Sequence, residues 1–280
     1  MLKHELPDKL RVYRFKLDRI LGRGGTGVVY RGIDTEKGDV VAIKLFHKNF
    51  FRNKLHIKDY ARSVARFSKW NHPNVVLVHE FLDGEEGPCQ VMEYVDGPDL
   101  KWYLDNQPFD LQQRLGIISQ VCNGLQYIHD QGFTHHDLKP ANVLFTRKGV
   151  VKMSDYSLSR QSLFAFLDVG GSIAEQITPM YVAPEIIRKE PASPQSDMYS
   201  LGITLYFMFT GKMPFEVDNL TALYACHLRI VPNHPSTVNR RCPEQLGNII
   251  MKMLNKDPKQ RFESCDQLRI ALSNIAVSRI

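Results

Sequence analysis

The chain changes character at Asp96-Gly97-Pro98. Before that point, Arg14–Gly22, Gly27–Gly32, Asp39–Phe46, Asn74–Leu82 and Cys89–Val95 are short runs rich in Val, Ile, Tyr and Phe, bounded by Gly, Asp or Pro. Such runs predict strands. One segment among them, about Arg52–Trp70, instead spaces Ile57, Tyr60, Val64 and Phe67 along one face of a helix. After that point, Leu111–Asp130, Pro194–Thr210, Pro243–Leu254 and Cys265–Ala276 carry helical periodicity, and several open on Asp, Ser or Pro, as helix N-termini do. The expected fold class is α+β, in two lobes. An arm over residues 1–13 precedes a small β-rich lobe with one helix over 14–95 and a larger helical lobe over 96–280. Thr134 to Glu185 reads as one long irregular stretch, and such a stretch inside a compact domain is usually functional.

Composition narrows the function classes. With 43% hydrophobic and 24% charged residues among 280, the chain is neither a disordered tail, a collagen nor a coiled coil, and it is long enough to bury its own core. No stretch approaches the roughly 20 apolar residues of a membrane span. The longest apolar run, Leu201–Phe209, is broken by Thr204 and reads as a buried helix. The first ten residues, MLKHELPDKL, are too charged for the apolar part of a signal peptide. Cys89, Cys122, Cys226, Cys242 and Cys265 are odd in number and widely spaced, which argues against a zinc site or a disulfide framework and makes a reducing cytoplasm the expected location. The net charge of +6 is concentrated: Lys48, Arg52, Lys54, Lys58, Arg62, Arg66 and Lys69 face one acid, Asp59, so residues 48–69 carry all of it. A solvated helix face is the plain explanation. The functional alternatives are nucleic acid, an acidic partner or a membrane surface; of these an acidic partner is expected and nucleic acid is not.

Several motifs carry chemistry. Gly22-Arg23-Gly24-Gly25-Thr26-Gly27 is a G-x-G-x-x-G, which occurs in dinucleotide-binding folds and in protein kinases and also as an ordinary hairpin turn. A dinucleotide-binding loop opens a helix. Here the β-branched and aromatic Val28-Val29-Tyr30 turns the chain back into a strand. Val41-Ala42-Ile43-Lys44 places a lysine at the end of an apolar strand, where a buried ammonium needs an anionic partner or else snorkels to the surface. His135-His136-Asp137-Leu138-Lys139-Pro140-Ala141-Asn142 spaces a carboxylate, an ammonium and an amide as phosphoryl transfer requires. The paired histidines lack further ligands at zinc spacing. Asp155 follows the apolar Val150-Val151 and suits a hard cation. Tyr181-Val182-Ala183-Pro184-Glu185, Asp197-Met198-Tyr199-Ser200-Leu201-Gly202 and Asp257-Pro258-Lys259-Gln260-Arg261 follow in order.

In this order and over about residues 14–275, these motifs resemble a eukaryotic-type (Hanks-type) Ser/Thr protein kinase. The run from Pro214-Phe215 through His227 and Pro232 to Asp257-Pro258 is most similar to bacterial receptor-type Ser/Thr kinases, here without their membrane-spanning and extracellular parts. The resemblance implies the bilobal kinase fold and ATP with Mg²⁺ or Mn²⁺ as cofactors. It also implies a protein substrate presenting Ser or Thr. Gly22, Gly24 and Gly27 would cover the phosphates and Lys44 would hold two of them. Leu21, Val29, Ala42 and Leu144 would sandwich the adenine, with Met92 at the back and Glu93 and Val95 offering backbone hydrogen bonds. Asp99 would reach the ribose or a basic substrate residue. Asp137 would accept the substrate proton, Lys139 would stabilise charge on the γ-phosphate, and Asn142 and Asp155 would hold the metal. Glu185 and Arg261 would form a structural ion pair, and Lys139 with Thr178 matches the Ser/Thr class.

Three positions depart from the pattern. The family's helix glutamate falls at Ser63, which offers Lys44 no charge, so that Asp59 on a shifted helix or Asp155 would have to serve. His136 stands where arginine usually binds a phosphorylated loop, so activity is expected to be independent of loop phosphorylation even though Ser159, Ser162, Ser172 and Thr178 are candidate autophosphorylation sites. Tyr156-Ser157 replaces Phe-Gly, adding a hydroxyl that needs a partner and removing easy access to positive φ. The alternative to an active enzyme is a pseudokinase, a nucleotide-binding scaffold. A small-molecule kinase is disfavoured by Ala183-Pro184-Glu185.

Overall fold

The structure is a computed structural model and describes residues 11–275 except 49, 52, 108 and 157–178. The chain divides at Asp96/Gly97 into two compact units.

The first unit is built on a six-stranded antiparallel sheet of order β1-β2-β3-β4-β6-β5. Its strands are β1 (Arg11–Val12), β2 (Phe15–Gly24), β3 (Gly27–Asp34), β4 (Val40–Phe46), β5 (Val78–Leu82) and β6 (Cys89–Glu93). Alternation along these strands separates two faces. One face buries Phe15, Leu17, Val41, Ile43, Cys89 and Val91 in a core cluster completed by Val12. The register sets the other face: Val29 pairs with Lys44, Lys44 with Gln90, Gln90 with Phe81, and Ala42 with Met92. The single helix, α1 (Lys54–Phe67), starts where Asn53 accepts the His56 N–H, and it buries Tyr60, Ser63, Val64 and Phe67. The predicted strand Asn74–Leu82 is shorter, β5 beginning only at Val78. In the preceding residues His72 accepts the Asn74 N–H through its ring and the Val75 N–H through its carbonyl, a turn that draws this backbone out of the ladder.

The second unit is helical. Among the described residues its α-helices are α2 (Leu100–Asn106), α3 (Leu111–Asp130), α4 (Pro184–Ile187), α5 (Pro194–Thr210), α6 (Leu220–Arg229), α7 (Pro235–Val238), α8 (Glu244–Met253) and α9 (Cys265–Ser273). Helix α3 begins at a capping box of Asp110 and Gln113, and α5 begins at one of Ser193 and Ser196. These caps satisfy N–H groups that a helix start leaves unpaired, which is why both predicted starts hold. Helix α5 is apolar on all sides and buries Met198, Tyr199, Leu201, Ile203, Leu205 and Tyr206, as expected for a helix enclosed by others. Gly211 closes it in the left-handed conformation at φ +72°. The expected irregular stretch from Thr134 to Glu185 proves to contain a short hairpin, β7 (Val143–Phe145) with β8 (Val151–Met153), whose strands of three residues are too short to show a period.

One polar interaction is buried deep in this unit. Arg261 donates to both Glu185 oxygens, at 2.7 and 2.9 Å, and Ser196 adds a third hydrogen bond at 2.7 Å. The remaining guanidinium donors meet the Asn255 and Gln195 carbonyls. Burial alone would raise the Glu185 pKa, but Arg261 and Ser196 reverse that and hold it below the usual carboxylate range. Removing one partner leaves a charge without compensation. Arg261→Ala is therefore expected to cost about 3–5 kcal/mol of stability in denaturant unfolding, and a loss under about 1 kcal/mol would contradict this account of the pair.

Candidate active site

Each unit carries its own part of the predicted machinery. In the first unit, β2 and β3 close through a tight turn at Gly25-Thr26, with Gly24 opposite Gly27 and Gly22 opposite Val29. The glycine motif is thus the tip of a hairpin, which excludes the dinucleotide-binding alternative. A Cβ on Gly27 would lie 2.1 Å from the Leu45 carbonyl oxygen, so only glycine lets β3 approach β4 there. At Gly22 and Gly24 a Cβ would meet nothing within 4 Å, so the backbone at the tip stands open to an approaching group. Leu21 is exposed beside it.

Behind the tip, Val29, Ala42, Lys44 and Met92 share one face of the sheet. Ala42 and Met92 are buried at 5% exposure each, and Lys44 at 9%, so Lys44 is not a snorkelling surface lysine. Its ammonium lies 5.9 Å from the centre of the Phe46 ring. Ser63 is buried and its hydroxyl donates to the Asp59 carbonyl at 3.1 Å, within the helix. Asp59 turns its carboxylate to Arg62 at 2.9 Å. The expectation that a shifted helix brings Asp59 to Lys44 is therefore corrected, because the nearer guanidinium of Arg62 takes that carboxylate. Glu93 donates its N–H to the Leu77 carbonyl and accepts the Leu77 N–H through its side chain, which ties the end of β6 to the chain just before β5. Val95 is half-buried just beyond β6.

In the second unit, the three chemical groups of the central motif meet on one loop. Lys139 Nζ lies 2.7 Å from Asp137 Oδ2. Asn142 donates through Nδ2 to both the Asp137 carbonyl (2.7 Å) and Oδ2 (3.0 Å). The amide nitrogen is thereby committed, and Oδ1 is the Asn142 atom suited to a cation. Ser154, one residue after β8, donates its N–H to the Asn142 carbonyl at 2.9 Å, which brings Asp155 beside Asn142. Asp155 has φ +54°. That left-handed conformation costs an L-residue roughly 1–2 kcal/mol, and Asp is among the few residues that tolerate it. The oxygen-only donor set of Asn142 and Asp155 fits a hard divalent cation such as Mg²⁺. Leu144 lies in β7, paired with Lys152 and bridged to Asp99. Asp99 also has a role that the sequence reading missed: its Oδ1 caps α2 through the Trp102 N–H at 2.7 Å. An Asp placed just before an apolar run was the available signal.

A second overlooked device is Asp197, at the start of α5. Its carboxylate accepts the backbone N–H groups of His135 (2.7 Å) and His136 (3.0 Å), while His129 Nε2 approaches at 2.8 Å. His136 has φ +67°, a strained turn directly before Asp137. Asp197 pins that turn from below. Burial pushes the Asp197 pKa up, but the hydrogen bond from His129 and the nearby histidines outweigh it and bring it below its ordinary value. Burial drives the His135 pKa down. The His136 ring rests 2.7 Å from the Thr134 hydroxyl, and Tyr156 is buried. Ser157, Ser159, Ser162, Ser172 and Thr178 lie outside the described residues.

The protein kinase domain family matches residues 15–270. This chain belongs to that family. Among kinase relatives it is 32% identical over 276 residues to a probable serine/threonine-protein kinase PknB of Lactococcus lactis, covering 96% of this chain and 43% of that protein. It is 33% identical over 277 residues to serine/threonine-protein kinase PksC of Streptomyces coelicolor, covering 95% and 49%. The chain thus spans less than half the length of these curated relatives. The Mycobacterium tuberculosis PknI kinase domain superposes with a TM-score of 0.75 at 22% identity, covering 96% of this chain and 98% of that one, which shows the shared bilobal kinase fold. Within the described residues of this kinase domain, no helix is long and apolar enough to cross a membrane.

Asp197→Asn leaves two strained-turn N–H groups facing a poorer acceptor, with an expected loss of about 1–3 kcal/mol at pH 7. Because the folded pKa is depressed, the carboxylate's contribution is complete above the unfolded value of about 3.9 and fades as pH falls through the folded one. The stability gap between wild type and variant, followed by unfolding at stepped pH, should therefore be flat above about pH 5 and narrow below about pH 4. A gap independent of pH would contradict the assignment.

Proposed function

We propose that this kinase domain is an ATP-dependent enzyme that transfers the γ-phosphate to a Ser or Thr hydroxyl of a protein, in which Asp137, Lys139, Asn142, Asp155 and Lys44 carry the roles expected from the sequence. The observation that supports this most is the Asp137–Lys139–Asn142 cluster, held within hydrogen-bond distance on one loop. The chemistry supplied from outside is the transferable phosphoryl group of ATP and the positive charge of Mg²⁺ or Mn²⁺.

The chain's own residues divide the remaining work. Asp137 Oδ would accept the proton of the attacking hydroxyl and align it. Lys139, already paired with that carboxylate, would share its charge with the transferring group without a large movement. Asn142 Oδ1 and the Asp155 carboxylate would hold the cation. In the first unit, the open glycine tip offers backbone N–H groups to phosphate, as such nests do. Lys44 would add a buried cation beneath it, and Ala42, Val29 and Met92 would supply a flat apolar surface for the base. Positioning and charge stabilisation are most of what phosphoryl transfer asks of a protein.

The basic face of α1 fits an acidic protein partner. Lys54, Lys58, Arg62 and Arg66 are all exposed and follow one another at i, i+4 spacing, where like charges repel. An acidic segment laid along them would relieve that repulsion.

Two experiments test these assignments. Asp137→Ala should retain nucleotide affinity and lose phosphotransfer to a basic Ser/Thr peptide by roughly 10²–10⁴-fold, the usual worth of a general base. Transfer that survives in the variant would remove Asp137 from the mechanism, and wild type that binds ATP without turnover would return the scaffold alternative. Replacing Lys54, Lys58, Arg62 and Arg66 by Gln should weaken binding of a poly-glutamate peptide and flatten its salt dependence, and unchanged binding would leave this face merely solvated.

A further inference from the structure

Helix α1 needs something other than an ion pair at Ser63 to hold it in place over Lys44. Ser63 is buried with its hydroxyl turned back to Asp59, and Asp59 is paired with Arg62. The structure places a different side chain between this helix and the lysine. The Tyr60 hydroxyl donates to Gln90 Oε1, and Gln90 is the cross-strand neighbour of Lys44 on the same face of the sheet. The Tyr60 ring also packs edge-on against Phe46 at 5.0 Å and lies tilted against Phe81 at 5.1 Å. Phe46 is the ring beside the Lys44 ammonium, and Phe81 is the cross-strand neighbour of Gln90. Phe51 closes the cluster from the segment entering the helix, 5.3 Å from Tyr60 and 5.1 Å from Phe46.

We propose that Tyr60 and Gln90 are positioning residues for the phosphotransfer reaction: their hydrogen bond, set in the ring cluster of Phe46, Phe51 and Phe81, fixes α1 over the β4–β6 strands and so fixes Lys44. Tyr60 reaches Lys44 by two short routes, one polar through Gln90 and one through the Phe46 ring. Each route crosses a single intervening side chain. The register row Lys44–Gln90–Phe81 across three strands gives the helix a flat, aligned seat. Gln90 is half-buried on this strand, and the Tyr60 hydroxyl supplies its amide oxygen with a donor. An ion pair sets helix position through one charged contact that solvent or a competing charge can break. A hydrogen bond enclosed by rings holds the helix continuously, so this device is built for a helix that stays in place. Neither residue touches substrate; both act through Lys44.

The inference rests on the kinase activity proposed above, and its test separates the two. Tyr60→Phe deletes only the hydroxyl, and Gln90→Met keeps the volume. Each is expected to lower kcat about tenfold, the upper range for one net hydrogen bond, with the KM for the peptide unchanged. The double variant should fall no further than either single one. Adding Ser63→Glu to Tyr60→Phe supplies a carboxylate on the buried face of α1 and should recover most of the lost kcat, whereas Ser63→Ala alone should leave kcat unchanged. Hydrogen exchange of the α1 amides should quicken in Tyr60→Phe and slow again with Ser63→Glu. Wild-type kcat in Tyr60→Phe overturns the proposal. So does a loss that Ser63→Glu does not recover, since a merely structural bond would give that. Should the wild type itself lack turnover, the kinase assignment fails separately, and the positioning role is then decided by ATP affinity with Mg²⁺ and by exchange: unchanged values in Tyr60→Phe overturn it.

Discussion

The buried carboxylate of Asp197 organises the loop of the second unit that carries Asp137. It sits at the first turn of the most enclosed helix, α5, and accepts two consecutive backbone N–H groups from the loop that carries Asp137. Without that acceptor, the turn at His136 would have to relax from its positive φ, and Asp137, Lys139 and Asn142 would lose their common geometry. Strain of this kind persists only where the surroundings over-determine it. Here the surroundings are a rigid helix, a fixed carboxylate and a histidine behind it. The loop is thus mounted on a core helix through two backbone hydrogen bonds.

The two units solve the positioning problem differently. The second uses polar pairs: Asp197 with His129 and Glu185 with Arg261, both reinforced by backbone groups, and Asp137 with Lys139, reinforced by the Asn142 amide. The first uses shape. Strand register puts Val29, Ala42, Lys44, Gln90 and Met92 on one face, and ring packing seats α1 over part of it. Where the resemblance expects a glutamate, the helix carries Ser63, and a cluster of aromatic contacts around Tyr60 seats it instead, each contact individually modest and collectively large.

Much of this was legible in the sequence. The Val28-Val29-Tyr30 run after the G-x-G-x-x-G predicted that the loop returns into a strand, and β3 stands there. The starts of α3 and α5 were marked by Asp110 and Ser193, and their ends by Asp130 and Gly211. The motif at Asp137 set a carboxylate, an ammonium and an amide close in sequence, and the structure brings the three within hydrogen-bond distance. Other features depended on contacts between residues remote in sequence. Gln90 and Tyr60 are thirty positions apart, and nothing local says that they meet. The reach of Asp197 back to His135 spans sixty-two positions. Helices α2 and α6 were passed over although Asp99 and Asn219 cap them: α2 has only seven residues, and α6 buries only His227, so neither presents a clear apolar period. The Asp59 alternative failed because a guanidinium three residues away competes for the same carboxylate.

The account stands on the claim that these groups, so arranged, transfer phosphate to hydroxyls. The most direct measurement is phosphoamino-acid analysis of a basic protein substrate after incubation with the wild-type chain, γ-labelled ATP and Mg²⁺. The account predicts acid-stable label on serine and threonine, dependent on the metal, with tyrosine unlabelled. Label confined to tyrosine, or no protein-bound label while ATP is still bound, would contradict it.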